Sequence, residues 1–527
     1  MALIERYQEL GIASILAHRA TIDPQRTFLL HDSRRVTFGE LDQEAEALAA
    51  AFHNLGIEAG DRIALILPSC PEFVASMMAA AKLGATIVPL DPLLTEAELQ
   101  YMLRHSEAVA AVTIETFRGV QYLEMFEDIL LQLPDLRYLV TVGEEDLWYD
   151  DRIFQYEDMV SAGKGRDFPS RPQGELDDVF AILYTSGTTG KPKGVMVTDR
   201  NLVIASGGTA ERLGLTQEDR VAGVATLTHV FGLGPGVVGS LLAGSSLVLA
   251  PDLDSERALD LIEAHRVTVE YATPTLLAMQ VRGQAQSARD LSSLRAVVVA
   301  GGPVREELAT EAETSMSASV LLAYSLTEAG STVSCGRIDD SVARRHFTVG
   351  KPIPGVEVRI MEGGEVLPVE SVGEVALKGR TLMAAYYRQP KETAGRVDSD
   401  GFFLTGDLGM LDEEGYLHLV GRRYDVIIRT GSNVYPREVE DCLHAHPAVQ
   451  EAVLVGIPDD LLGEATCACL VLEEGAIVNA TEIRDWCRAS LAEQKVPDLV
   501  RFLDSLERSA SGEIRRMEVR RAILAEG

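Results

Sequence analysis

Val179-Phe180-Ala181-Ile182-Leu183 runs straight into Tyr184-Thr185-Ser186-Gly187-Thr188-Thr189-Gly190-Lys191-Pro192-Lys193-Gly194. The first five residues form a short apolar run ending at a cluster of turn formers, the pattern of a buried strand. The eleven that follow hold three glycines, four Ser/Thr hydroxyls and two lysines. Glycines let backbone N–H groups face an anion, and hydroxyls and ammonium groups complete a cradle for polyphosphate. Thr185, Ser186, Gly187, Thr188, Thr189 and Lys193 are therefore the candidate phosphate-binding residues. The segment is not a Walker A loop: Thr185 stands where the first Gly of that motif belongs, and Pro192 where its Ser or Thr follows the Lys.

Upstream of this loop, strands and helices alternate. Arg34-Arg35-Val36-Thr37-Phe38 reads as a strand broken by Gly39, and residues 40–55 carry a helical apolar stripe through Leu41, Ala45, Leu48, Ala49 and Phe52. Arg62–Leu67 and Thr86–Leu90 read as buried strands flanking a helix over Pro71–Leu83. Thr95 with Glu98 three residues later is a capping box that opens another helix. Downstream, Ser246–Ala250, Val267–Tyr271 and Ala296–Ala300 keep the same rhythm. Short apolar strands separated by helices imply an α/β fold of mostly parallel sheets covered by helices.

After about Arg345 the texture changes. Val356–Ile360, Gly373–Leu377 and Tyr416–Val420 are short strands between glycine turns, which suggests a small β-barrel-like subdomain. Beyond Arg422 about 100 residues of mixed strand and helix remain, with helices over 437–444 and 481–494 and strands over 451–455 and 465–472; this is enough for a separate α+β domain. The expected division is an N-terminal domain over 1–421 with the barrel-like part at about 346–421, a hinge at 422–425, and a C-terminal domain over 426–527.

The 527 residues hold 48 Lys+Arg against 80 Asp+Glu, a formal charge of −32. That balance argues against nucleic-acid partners and anionic membranes, which need a basic face. No apolar run reaches the roughly 18 residues of a membrane span, and the N-terminal residues lack a signal-peptide pattern. A cytoplasmic location is expected. Cys467 and Cys469 would share one face of a strand, but no His or further Cys nearby in sequence completes a metal set, so both read as core residues. Gly234-Pro235-Gly236-Val237-Val238-Gly239 spells G-x-G-x-x-G, yet no strand immediately precedes it and Pro235 removes an N–H at the tight turn, so a dinucleotide site is not expected. Neither G-x-S-x-G nor H-E-x-x-H occurs.

The loop at 184–194, with Tyr324-Ser325-Leu326-Thr327-Glu328, Thr405-Gly406-Asp407 and Gly421-Arg422, resembles the adenylate-forming superfamily of acyl-CoA synthetases, luciferases and amino-acid-adenylating domains. The resemblance runs from about Thr37 to Arg516. It implies a large N-terminal domain, a small mobile C-terminal domain and a two-step reaction. A carboxylate attacks the α-phosphate of ATP to give acyl-AMP and pyrophosphate; the C-terminal domain then rotates and a thiol takes the acyl group. By the same resemblance Tyr324 stacks on adenine, Thr327 contacts the α-phosphate, Glu328 holds Mg²⁺, Asp407 accepts the ribose hydroxyls, and Arg422 reaches ribose or phosphate. Gly431 stands nearest the incoming thiol. His229 gates the acyl pocket, walled by Val230, Phe231, Gly301 and Gly302. The ligands implied are ATP, Mg²⁺, CoA and a mainly apolar carboxylic acid, fatty or aryl, with a carrier-protein thiol as an alternative acceptor. The oligomeric state is not readable. The segment Thr228–Gly232 lacks the Asp with which amino-acid-adenylating domains hold an α-amino group, which disfavours amino acids.

Two positions depart from the family pattern. Tyr424 stands where the hinge carries Lys or Asp, with Asp425 beside it. Glu513 in Ser511-Gly512-Glu513 occupies the place of the lysine that bridges the substrate carboxylate and the α-phosphate. Weak adenylation, or a catalytically impaired nucleotide- or acyl-binding paralogue with a regulatory role, is the alternative this raises.

Overall fold

The computed structural model describes residues 3–143, 151–169, 176–185, 192–223, 226–251, 254–429, 432–459, 461–508 and 514–526. The chain divides into two compact units. One holds residues 1–357 and 377–403, the other 358–376 and 404–527.

Two sheets organise the first unit. The nine-stranded sheet runs in the order Lys351–Pro352, Ser331–Cys335, Ser319–Leu326, Ala296–Val299, Val269–Ala272, Arg220–Gly223, Ser246–Leu249, Thr27–His31, Arg34–Thr37. The eight-stranded sheet runs Ala385–Tyr386, Lys193–Thr198, Val179–Thr185, Thr86–Pro89, Arg62–Ile66, Ala110–Ile114, Tyr138–Val142, Ile153–Gln155. Their central strands are parallel, and antiparallel pairs sit towards the edges. Strand alternation then assigns layers. Val269, Tyr271, Ala296 and Val298 face the large core that also contains Ile63 and Leu65 of the other sheet, whereas Val297 and Val299 turn to a second core and Ala64 and Ile66 to a third. Helices such as Pro71–Leu83, all thirteen of whose residues are buried, fill the layer between the sheets.

Local sequence explains the starts of these helices. Thr95 accepts the Glu98 N–H and Glu98 returns to the Thr95 N–H at 3.0 Å, the capping box expected there. A second box corrects the reading of Gly39 as a breaker. The helix begins at Phe38, because Thr37 and Glu40 cap each other, and Gly39 lies in its first turn, where a Cβ would come within 2.9 Å of the Pro24 carbonyl oxygen. The Gly234–Gly239 stretch is not a phosphate turn but part of a buried π-helical segment over Gly232–Val238.

The second unit carries most of a five-stranded sheet ordered Glu365–Val366, Val356–Glu362, Gly373–Gly379, Phe403–Leu411, Leu417–Arg422. It also holds a sheet built on the antiparallel pair Val449–Asp459 and Gly463–Leu472. Helices Pro436–His444 and Ala480–Ser490 accompany that pair; the second ends four residues short of the 494 expected from its periodicity, with a separate turn at Glu493–Lys495. Cys467 and Cys469 pack on one face among Val453, Val455 and Val471. Among the described residues no helix is long and apolar enough to cross a membrane.

Candidate active site

Val179–Thr185 and Lys193–Thr198 form an antiparallel hairpin in which Thr185 faces Lys193. Its connection contains Ser186, Gly187, Thr188 and Thr189, which lie outside the described residues; Thr185 is half-buried at its entrance. Lys193 is 6% exposed. Its Nζ sits 2.5 Å from Glu392 Oε1 and 5.2 Å from the centre of the Tyr386 ring. The hydrogen bond from Lys193 holds the Glu392 carboxyl below its ordinary pKa, and Arg396 at 3.8 Å adds to this. A buried ammonium matched by one carboxylate is a site an anion can enter by displacing that carboxylate.

The strand Ser319–Leu326 delivers Tyr324, which is buried, to the start of a single 3₁₀ turn over Thr327–Ala329. Gly330 closes the turn by donating to the Thr327 carbonyl at 3.0 Å. Only glycine suits this position: φ is +66°, and a Cβ would come within 2.8 Å of the Thr381 carbonyl oxygen. Thr327 is buried, and Glu328 is fixed at both ends. Its carbonyl accepts the Met383 N–H at 2.8 Å, and its Oε1 accepts the Tyr386 hydroxyl at 2.7 Å. Burial first, then the Glu328 charge, raises the pKa of Tyr386, so the phenol remains a donor. A carboxylate tied by one oxygen can turn its other oxygen to a hard cation, and the neighbouring Thr327 hydroxyl is a second oxygen donor; the set suits Mg²⁺. Ser325 is accommodated in place of the family's glycine, with its Oγ 3.5 Å from Ser331 Oγ.

Sequence reasoning did not find Tyr386 or Glu392. Each looks like an ordinary residue of Tyr386-Tyr387 and Pro390-Lys391-Glu392, and only tertiary contact links them to Glu328 and Lys193.

His229 opens to solvent, yet it lies so deep among protein atoms that desolvation lowers its imidazole pKa. Val230 and Phe231 behind it are buried, and Phe231 meets Tyr271 edge to face at 5.2 Å. Gly301, with φ +95°, and Gly302 are exposed at the end of the strand Ala296–Val299. A Cβ on Gly302 would meet Pro274 at 3.4 Å.

In the second unit Asp407 and Arg422 are paired across neighbouring strands, with Arg422 Nε 3.4 Å from Asp407 Oδ1. The buried Glu374, another residue without a sequence signature, supports them. It accepts the Gly406 N–H at 3.0 Å and an Arg423 N–H at 2.6 Å. Tyr424 and Asp425 share a 3₁₀ turn over Arg423–Asp425, and Asp425 lies 3.4 Å from Arg516. Arg516 is committed further, since it forks onto Glu440 at 2.5 and 3.1 Å and donates to the Leu454 carbonyl. Burial opposes its charge, but Glu440 and then Asp425 outweigh that and raise its pKa. Gly431 and Glu513 lie outside the described residues.

Residues 16–387 match the AMP-binding enzyme family, and residues 438–513 match the AMP-binding enzyme C-terminal domain. The chain belongs to this family. It is an enzyme of the adenylate-forming superfamily, of the acyl-CoA synthetase kind. The chain is 31% identical over 525 residues to the medium-chain acyl-CoA ligase ACSF2, mitochondrial, of Homo sapiens, covering 94% of this chain and 85% of that one. Its fold is similar to that of the anthranilate CoA ligase AuaEII in complex with anthranoyl-AMP, with a TM-score of 0.90, 27% identity and full coverage of both chains. It is also similar to the o-succinylbenzoate CoA synthetase MenE of Bacillus subtilis in complex with OSB-AMP, with a TM-score of 0.83, 30% identity, and 96% and 97% coverage. The family's large N-terminal and small C-terminal domains are thus present.

Proposed function

We propose that this CoA ligase activates a mainly apolar carboxylic acid, fatty or aryl. The reaction uses ATP, Mg²⁺ and CoA. The acid's oxygen attacks the α-phosphorus, pyrophosphate leaves, and the CoA sulfur then attacks the acyl carbon with loss of AMP. The observation that carries the substrate class is the wall behind His229: Val230 and Phe231 are buried, and Phe231 is locked edge-on against Tyr271. The names of ACSF2, a medium-chain acyl-CoA ligase, and of AuaEII and MenE, which take aryl acids, support the fatty-or-aryl range.

In this reading Thr185, Ser186, Gly187, Thr188, Thr189 and Lys193 hold the phosphates, and Tyr324 the adenine. Thr327 contacts the α-phosphate. Glu328, steadied by Tyr386, holds Mg²⁺, which neutralises charge developing on the phosphate oxygens. Asp407 and Arg422 take the ribose. His229 gates an acyl pocket bounded by Gly301 and Gly302. The chain turns at 422–425, through Tyr424 and Asp425, to bring Gly431 to the thiol. An acid panel assayed for thioester with ATP, Mg²⁺ and CoA, beside pyrophosphate release without CoA, tests the reading. Adenylation without thioester would instead favour a carrier-protein thiol as the acceptor.

A second reading, an impaired nucleotide- or acyl-binding paralogue with a regulatory role, is favoured by one pair of observations. Glu513 carries the wrong charge for its family position, and Arg516, one of two nearby arginines that could partly replace the lysine, is engaged by Glu440 and Asp425. Absence of both products from every acid would select it.

A further inference from the structure

The helix Glu96–Ser106 packs against the hairpin that carries the phosphate loop, and two of its residues, one turn apart, reach the two ends of that loop. His105 Nδ1 lies 2.7 Å from the Tyr184 hydroxyl, in the residue before Thr185. The Tyr101 hydroxyl lies 3.5 Å from the carbonyl oxygen of Pro192, the residue before Lys193. The two are themselves stacked, with ring centres 5.6 Å apart and planes inclined by 20°, and Tyr387 closes on His105 from the side at 5.6 Å.

We propose that Tyr101 and His105 are positioning residues that brace both ends of the phosphate loop and so set the enzyme's affinity for the β- and γ-phosphates of ATP. The inference rests on the reading that this loop cradles those phosphates. The hydrogen bonds define how the brace works. The Tyr184 hydroxyl also lies 3.2 Å from the Met102 carbonyl oxygen, which can only accept. When Tyr184 gives its one proton to Met102, His105 supplies the second bond from Nδ1–H; when that proton turns to Nδ1, Tyr184 is the donor to His105, and the two residues are joined either way. Burial lowers the His105 pKa, which favours the neutral ring. The register carries the constraint onward: Tyr184 is paired with Gly194 and Thr185 with Lys193, so fixing Tyr184 fixes where the loop leaves one strand and enters the next. Gly194 adds a close contact that no larger residue would permit, since a Cβ there would lie 2.8 Å from Ile182 Cγ2.

Calorimetry on the full chain without acid substrate separates this role from general stability, because AMP lacks the two phosphates the loop would hold. His105→Ala and Tyr184→Phe should each weaken MgATP binding by about five-fold, the value of one neutral hydrogen bond, and leave AMP binding within about two-fold. His105→Asn, whose amide offers a donor near the Nδ1 position, should recover most of the loss. If His105→Ala does not fold, Tyr184→Phe carries the test, since it deletes one oxygen. Unchanged MgATP binding in these variants, or equal losses for both nucleotides, would overturn the brace. Lys193→Ala tests the reading beneath it: MgATP binding unaffected by that change would remove the phosphate site itself, whereas a loss there with none at His105 would reject only the brace.

Discussion

Lys193 and Glu328 are joined through Tyr386, whose ring lies under one and whose hydroxyl binds the other. Lys193→Ala and Glu328→Ala should each lower pyrophosphate release by a factor of at least about 10², the scale of lost electrostatic stabilisation; wild-type release from either would remove its assignment. Tyr386→Phe is milder, because the carboxylate stays and only its orientation loosens. A loss of roughly ten-fold in adenylation, with a raised Mg²⁺ requirement, is expected, the low end of what one hydrogen bond to a charged group contributes. An unaltered Mg²⁺ dependence would show that the phenol does not steer Glu328. Glu270 has no partner of opposite charge among the described residues. It is fully buried, and burial raises its carboxyl pKa to about 7 against a bond from Gln280 at 2.6 Å. The folded state therefore holds this proton more tightly than the unfolded state. Its stabilising effect is complete below about pH 4.5 and is lost as pH rises through about 7, a cost on the order of 3 to 4 kcal/mol. In Glu270→Gln an amide pair can also satisfy Gln280 Oε1, which is otherwise buried without a partner. The unfolding midpoint should rise by roughly 2–5 °C at pH 8 and little at pH 5; equal shifts at both pH values would show that ionisation is not the cause.

Elements differ in how openly the sequence announces them. The strands flanking the phosphate loop and the helix capped by Thr95 and Glu98 were legible because apolar period and end chemistry agree. The start of the helix at Phe38–Asn54 is less openly marked, because Gly39 has the look of a breaker and the deciding signal is the Thr37–Glu40 pair three residues apart. Motif residues such as Thr327 and Asp407 were visible as sequence, but Tyr386, Glu374 and His105 act through neighbours 58, 32 and 79 positions away, and no local pattern encodes such partners. Gly302 lies in the bend three residues beyond the strand Ala296–Val299. Its Cβ would meet only Pro274, so Gly302→Leu should fold while filling space in front of the strand end. Longer or bulkier acids should lose activity while short ones keep it; an unchanged chain-length profile places the acyl wall elsewhere.

The reaction asks one chain to serve two chemistries in turn, and in the proposed reading Glu513 bears on only the first. In the adenylating arrangement implied by the family, this carboxylate would face both the substrate carboxylate and the α-phosphate. At about 4 Å and an effective dielectric near 20, each like-charge contact costs on the order of 4 kcal/mol, an upper figure because the side chain can turn away. Of the two arginines that follow, Arg516 is held by Glu440, Asp425 and the Leu454 carbonyl, and freeing it would strand a buried carboxylate, which leaves the exposed Arg515 as the partial substitute. Glu440 is 9% exposed, so that loss would be felt in stability as well. Slow turnover of acid with ATP is therefore expected, with near-normal conversion of supplied acyl-AMP to thioester, because the resemblance implies a rotated domain for the second step. Glu513→Lys should raise adenylation by roughly tenfold or more, a modest share of the Coulomb cost, and leave the thioester half-reaction unchanged. Stopped-flow pyrophosphate release beside thioester formation from synthetic acyl-AMP measures the two halves separately. Ordinary adenylation rates in the native protein, with no gain in the lysine variant, would mean that Glu513 stays clear of the phosphates and that another cation neutralises them.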